Sequence, residues 1–298
     1  MDALSITRQQ VRSDLLKKII IRIDYTGIPS ITEWIEQFMK DGDLCGKFGD
    51  YDKGGSMNKA TFRFSNLNDV AETLAIPLDE LKKETIHRFS SPQFEGHEDD
   101  VVMDITSYFT TFTISCQNYS MIDDYLQYLC MYMLKLKSYC TYLKVARLGI
   151  RKIGGCVFKS VEDIGKVFNP DLFFGNIIDE PVSTAHEINY SDSFIDRDFK
   201  IKVNYGRMCR EVVDTNQNTL YQVLMDIDGY VDNEIIMQEK LQLPENIQKV
   251  TENINNCLFK LFKYSVNEDF LIKNLENGQE VLKFLQKESD LVDLTLDK

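Results

Sequence analysis

Two long amphipathic segments, each preceded by a run of short β-rich segments, constrain this chain more than any other feature. In residues 120–137, Ile122, Leu126, Leu129, Met133 and Leu136 recur at helical spacing. Tyr125, Tyr128 and Tyr132 form a second stripe beside them. From Pro244, placed where a first helical turn has no amide to lose, Ile247, Val250, Ile254, Leu258, Leu261 and Phe262 repeat the pattern. Apolar faces this wide must lie on something, and the β-rich segments ahead of each helix supply it. Strands grouped before a helix, instead of alternating with helices, indicate an α+β protein. The expected architecture is two halves, each an antiparallel sheet followed by a long packed helix. Residues 1–168 would form the N-terminal half and 169–298 the C-terminal half, parted near Asn169-Pro170 and Gly175. The tyrosine stripe reads first as packing on a sheet, and second as a pocket lining or a dimer contact.

Local signals fill in the remaining elements. Residues 15–25, dense in Ile, read as a strand. Ser30 and Glu33 open a helix as a capping pair, with Trp34, Ile35 and Phe38 on one face. Residues 42–55, rich in Gly and Asp, read as a surface loop, 59–64 as a short strand and 68–75 as a helix. A second loop spans 90–100. Residues 101–106 and 110–116 form a hairpin of β-branched and aromatic residues. Strands are expected at 142–158, 186–190, 199–209 and 219–228, and a charged, weakly amphipathic tail at 276–298.

Composition narrows the function classes. The chain carries 34 basic and 47 acidic side chains, a formal charge of −13, and no sustained basic stripe. Direct nucleic-acid binding is therefore disfavoured, because phosphate contacts draw on a basic excess. No stretch approaches the roughly 18 apolar residues that span a bilayer, and residues 1–14 lack the apolar core of a signal peptide. A cytoplasmic protein without a membrane partner is expected. The seven cysteines are scattered with no Cys-x-x-Cys pair, so buried thiols are expected over a disulfide or zinc framework. With three histidines and none of the common phosphate-cradle or nucleophile-elbow motifs, no cofactor and no dedicated metal site is indicated.

Two strands carry the candidate chemistry. In 219–228, alternation puts Asp226 and Asp228 on one face about 7 Å apart. Carboxylates so spaced suit a shared Mg²⁺ or Mn²⁺ in phosphoryl transfer or nuclease chemistry, with Asp104 as a third ligand. The plainer reading puts them at the strand's exit into solvent. In 146–153, Arg147, Gly149 and Arg151 share one face, and Gly149 leaves space between two guanidinium groups. That spacing suits an anion. The favoured alternative is a structural network in which Arg147 and Arg151 pair with Asp226 and Asp228 across the sheet.

Four segments in order resemble an uncharacterised, sporadically distributed bacterial protein family of similar length. They are the opening strand Lys18-Ile-Ile-Ile-Arg-Ile23, the central Arg147-Leu-Gly-Ile-Arg-Lys-Ile-Gly154, the later Met225-Asp-Ile-Asp228 and the amphipathic helix of 247–270. The central motif is similar to the family's Arg-Leu-Gly-Leu-Arg-Tyr-Ile-Asn, with Lys152 and Gly154 in place of its Tyr and Asn, and the later one to its Leu-Asp-Ile-Asp. The family has no assigned activity. Its distribution is similar to that of defence or toxin–antitoxin genes. Taken with the lack of a catalytic constellation and the acidic charge, the resemblance leads to the expectation of a non-catalytic binding protein, an accessory subunit of such a system, that partners another protein or itself. The alternative is a divalent-metal phosphoryl-transfer enzyme or nuclease using Asp226 and Asp228. In both, Arg147, Arg151, Asp226 and Asp228 are the candidate ligand-binding residues.

Overall fold

A computed structural model describes residues 6–7, 15–59, 82–91, 94, 100–116, 122–169, 187–195, 200–213, 218–232 and 244–276. The strands are β1 (Leu16–Tyr25), β2 (Asp50–Lys59), β3 (Lys82–Ser91), β4 (Asp100–Ile105), β5 (Phe109–Ser115), β6 (Val145–Phe158), β7 (Glu187–Ile195), β8 (Lys202–Val213) and β9 (Thr219–Val231). The helices are α1 (Ile31–Lys40), α2 (Ile122–Tyr139), α3 (Val161–Val167), α4 (Pro244–Ser265) and α5 (Glu268–Glu276), with a 3₁₀ turn at Cys45–Lys47.

Among the described residues, the nine strands join one antiparallel sheet in the order β2-β3-β4-β5-β1-β6-β9-β8-β7. The fold is α+β, but the expectation of two halves each with its own sheet is overturned. β1 pairs with β5 on one side and β6 on the other, so there is no gap at which to divide the sheet. The physical reason is that β1 and β6 each have two edges to satisfy, and each uses the other for one of them. In connectivity, β1 precedes a helix and a meander that returns to lie beside it at β5. β6 does the same with β9.

One face of the sheet is largely buried, while the other, among the described residues, is mostly half-buried and has a small buried cluster of its own at Val157, Val212 and Leu220. Alternation along β1 buries Ile19, Ile21, Ile23 and Tyr25 while leaving Ile20, Arg22 and Asp24 half-buried. Along β9 it buries Val223, Met225, Ile227 and Val231 and leaves Asp226, Asp228 and Tyr230 half-buried. Helices supply the cover. Trp34, Ile35 and Phe38 of α1 and the whole apolar face of α2 join the β1, β3, β4 and β5 side chains in one cluster. The tyrosine stripe belongs to this core. Tyr132 exchanges a hydrogen bond with Thr110 at 2.8 Å, and the Tyr128 hydroxyl donates to the Leu44 carbonyl at 3.0 Å. Tyr25 donates to the Thr106 carbonyl at 2.8 Å. Burial pushes the Tyr132 phenol up to about 12.

The second long helix, α4, lies on β6, β9 and α2, seated by Ile247, Ile254 and Leu258. It packs closely at Gly229, where a Cβ would meet Leu258 Cδ2 at 2.7 Å. α3 and α5 cover the far end with a second cluster that includes Cys156, Phe158, Val167, Phe168, Cys209, Val223 and Phe270. Cys140 and Cys209 are buried thiols, and burial raises the Cys209 pKa to about 11.

Other local expectations met mixed outcomes. Ser30 accepts from the Glu33 amide, while the Glu33 carboxylate accepts from the Tyr139 hydroxyl. The loop expected at 42–55 gives way to β2 from Asp50, and β3 and α3 were not anticipated. β2 reads as loop because its Gly, Asp and Lys are the composition of an exposed end strand. The strand expected at 59–64 (beyond Lys59), the helix at 68–75, Ser120, most of the 90–100 loop and the tail beyond Glu276 lie outside the described residues.

Two substitutions separate the faces. Phe38→Ala empties a fully buried site whose ring lies 4.6 Å from that of Phe89. It should cost about 3–5 kcal/mol in urea denaturation. Ile20→Ala, on the uncovered face, should cost clearly less.

Candidate functional site

The uncovered face presents a lattice of charge centred on β1, β6 and β9. The register places Arg22 beside Gly149, Gly149 beside Tyr230, and Arg151 beside Asp228. Arg147, Gly149 and Arg151 share this face with Asp226 and Asp228, as alternation requires. Arg151 reaches diagonally to Asp226 with two parallel bonds: Nε donates to Oδ1 at 2.8 Å, and Nη2 donates to Oδ2. Such a fork-to-fork pairing fixes orientation as well as charge. Arg147 Nη2 donates to Asp228 Oδ2 at 3.3 Å, and its Nη1 lies 3.8 Å from Asp24 Oδ2. Asp24 in turn accepts from Arg22 Nε at 2.8 Å.

Aromatic rings shape the same row. The Arg147 guanidinium lies 4.3 Å from the Tyr230 ring centre, and Arg22 lies 4.2 Å from that of Phe109. Gly149 makes the first of these arrangements possible. A Cβ there would stand 3.0 Å from Tyr230 Cβ and 3.7 Å from Arg147 Nη2. The space next to Gly149 is thus filled by an arginine spanning from Asp24 to Asp228.

All four candidate ligand residues therefore come together, and they do so by pairing with one another. Asp104 does not join them. It lies on β4, four strands from β9 and so about 19 Å away by strand spacing. There it accepts two bonds from Arg88, at 2.7 and 2.8 Å. Among the described residues, no group of three or more His, Cys, Asp or Glu side chains is placed to hold a metal ion. To bind Asp226, Mg²⁺ or Mn²⁺ would share the carboxylate with Arg151, which takes one lone pair on each oxygen.

Sequence reading missed Asp24, Arg22 and Tyr230. The Arg22-x-Asp24 alternation was visible, but nothing in one strand's sequence tells which strand lies beside it. Lys202 completes the row on β8, donating to Asp232 at 2.8 Å and lying 5.8 Å from the Tyr230 ring centre.

The electrostatics are asymmetric. Burial holds Asp228 above its ordinary value of 3.8, Arg147 and then Arg151 pull it back, and Asp226 adds to the rise. Arg151 is raised, chiefly by its bonds to Asp226.

Comparison of the chain with family models, with curated proteins and with solved structures finds no match. Among the described residues, no helix is long and apolar enough to cross a membrane.

The paired network predicts a specific acid response. Asp228 binds its proton more tightly folded than unfolded. The stability this gives is fully present below the unfolded pKa and is lost as pH rises through the raised native value. Asp228→Asn should remove that fall from the pH–stability profile. Arg147→Ala should move the Asp228 carboxyl resonance midpoint higher still in an NMR titration, because it deletes the largest opposing charge.

Proposed function

We propose that this chain is a binding protein without a catalytic role, and that it docks another protein on the uncovered face of its sheet. The observation that supports this reading is how the charges at the centre of the face are used. Asp226 gives both oxygens to Arg151, and Arg147 lies between Asp24 and Asp228. A general base needs a lone pair open to substrate, and a metal ligand needs an oxygen open to the ion. Here an arginine takes one lone pair on each Asp226 oxygen and one on Asp228 Oδ2, so an incoming proton or ion competes with a guanidinium at each carboxylate.

The same pairing suits a docking surface. Charges already neutralised by neighbours bring their partners with them when water is excluded. Between the pairs stand Ile20, Val102, Thr111 and Thr113, half-buried and mildly apolar. They fall on neighbouring strands β1, β4 and β5, where Ile20 pairs in register with Thr113 and Val102 also meets Thr113. A patch of uncharged side chains within a polar surround is the usual anatomy of a protein interface. The role of accessory subunit in a defence or toxin–antitoxin-type system rests on the family resemblance alone.

Tagged wild-type chain, recovered from the cell to which it belongs, should retain a partner protein. The double substitution Ile20→Arg with Thr113→Arg should abolish retention at unchanged Tm. Retention undiminished by those substitutions would overturn the reading. So would Mg²⁺- or Mn²⁺-dependent turnover of nucleotide or nucleic acid that Asp226→Asn abolishes.

A further inference from the structure

The two ends of the sheet are built differently. Among the described residues, β2 and β7 each have a strand neighbour on one side only. An end strand presents a row of backbone N–H and C=O groups that can template another chain, and proteins disarm such edges with charged side chains (lysine above all), prolines, bulges or a covering segment. β2 has two of these devices. Its sequence holds Lys53, Gly54, Gly55 and Lys59, and its register with β3 shifts between Lys53 and Ser56. β7 is barer, its only charges being Glu187 at one end and Asp192. Its nine residues, Glu-Ile-Asn-Tyr-Ser-Asp-Ser-Phe-Ile, contain no Lys, Arg, Gly or Pro, and they pair with β8 without a shift from Glu187 to Ile195. Ile195, at the end of the strand, is 59% exposed.

We propose that two copies of this chain pair through β7, antiparallel about Ser191, so that one sheet continues across a two-fold axis. The occupant is a second copy because the strand is complementary to itself in this register. Glu187 falls opposite Ile195, Ile188 opposite Phe194, Asn189 opposite Ser193 and Tyr190 opposite Asp192, with Ser191 meeting itself. No two like charges come directly opposite one another, and the one like-charged pair, Asp192 with Asp192 of the second copy, is diagonal across the axis. The nine-residue strand pairs along its whole length only when centred on Ser191. Pairing of β7 with β2 of another copy would be head-to-tail and would propagate, whereas β7 with β7 closes at two. Backbone hydrogen bonds carry the contact, as in other strand-addition interfaces. The axis runs perpendicular to the sheet, so both uncovered faces point the same way and a docked partner would meet two copies of the arginine–aspartate lattice.

This goes beyond the docking reading and fails separately from it: a monomer that still retains its partner sinks only the present proposal. Sedimentation equilibrium of the full chain should give a dimer. Ser191→Lys sets two ammonium groups against each other at the axis, and Ser191→Asp two carboxylates. Each variant should sediment as a monomer with an unchanged far-ultraviolet circular dichroism spectrum. An equimolar mixture of the two should return to a dimer, because the opposed charges now attract. A wild-type chain that stays monomeric at all accessible concentrations overturns the proposal. So does a Ser191→Lys variant that remains dimeric, or a mixture that fails to pair.

Discussion

The rest of the structure depends on β1 lying between β5 and β6. Ile19, Ile21 and Ile23 of that strand are at most 1% exposed, and its backbone is paired on both sides. A strand satisfied on both edges and buried on one face has no freedom of register, because a one-residue slip would turn three isoleucines toward water. From that fixed point the meander through β4, β3 and β2 extends one way, and β6, β9, β8 and β7 extend the other. The covering helices follow. α2 spreads its tyrosines over β4, β5 and β1, and α4 sits where Gly229 lets it approach.

The uncovered face inherits its order from the same register. With β1 set against β6, and β6 against β9, Arg22, Asp24, Arg147, Arg151, Asp226, Asp228 and Tyr230 fall into adjacent rows. Alternation of sign then does the rest: Arg147 and Arg151 each find a carboxylate one strand away, and Arg22 finds Asp24 two residues along its own strand. The pairs are partly exposed, with Arg151 at 47% and Asp226 at 37%, so individually they are weak. Their consequence is geometric. They link β6 to β9 and β1 through side chains and leave a charge-matched row in a chain that is acidic overall. Asp228, more enclosed than Asp226, is the member whose proton affinity burial shifts most clearly.

Much of this was legible in single segments, and little of it across segments. The apolar faces of α1, α2 and α4, the β4–β5 hairpin and the alternation of β9 follow from periodicity, because burial on one side leaves a period in the sequence. The shared face of Arg147, Gly149 and Arg151 could be read in the same way. The division into two sheets was misread because nothing in β1 or β6 announces that they meet. Both are apolar strands at the start of similar strand–helix runs, and such strands suit two separate sheets or the middle of one. β2 was hidden by its Gly-Asp-Lys composition, and Asp24 by the lack of any local sign of its partner. Asp104 was grouped with Asp226 and Asp228 on residue type, yet five strand positions, from β4 through β5, β1 and β6 to β9, include both.

The central claim is that β1 and β6 join everything into one sheet, and native-state hydrogen exchange tests it most directly. The amides of β1 and β6 should be the slowest in the molecule, and at low denaturant those of β5 and β9 should open with them at a single free energy, equal to that of global unfolding. If β1 with β5 exchanges at one free energy and β6 with β9 at another, clearly lower one, the seam is not a structural bond and the single-sheet account is wrong.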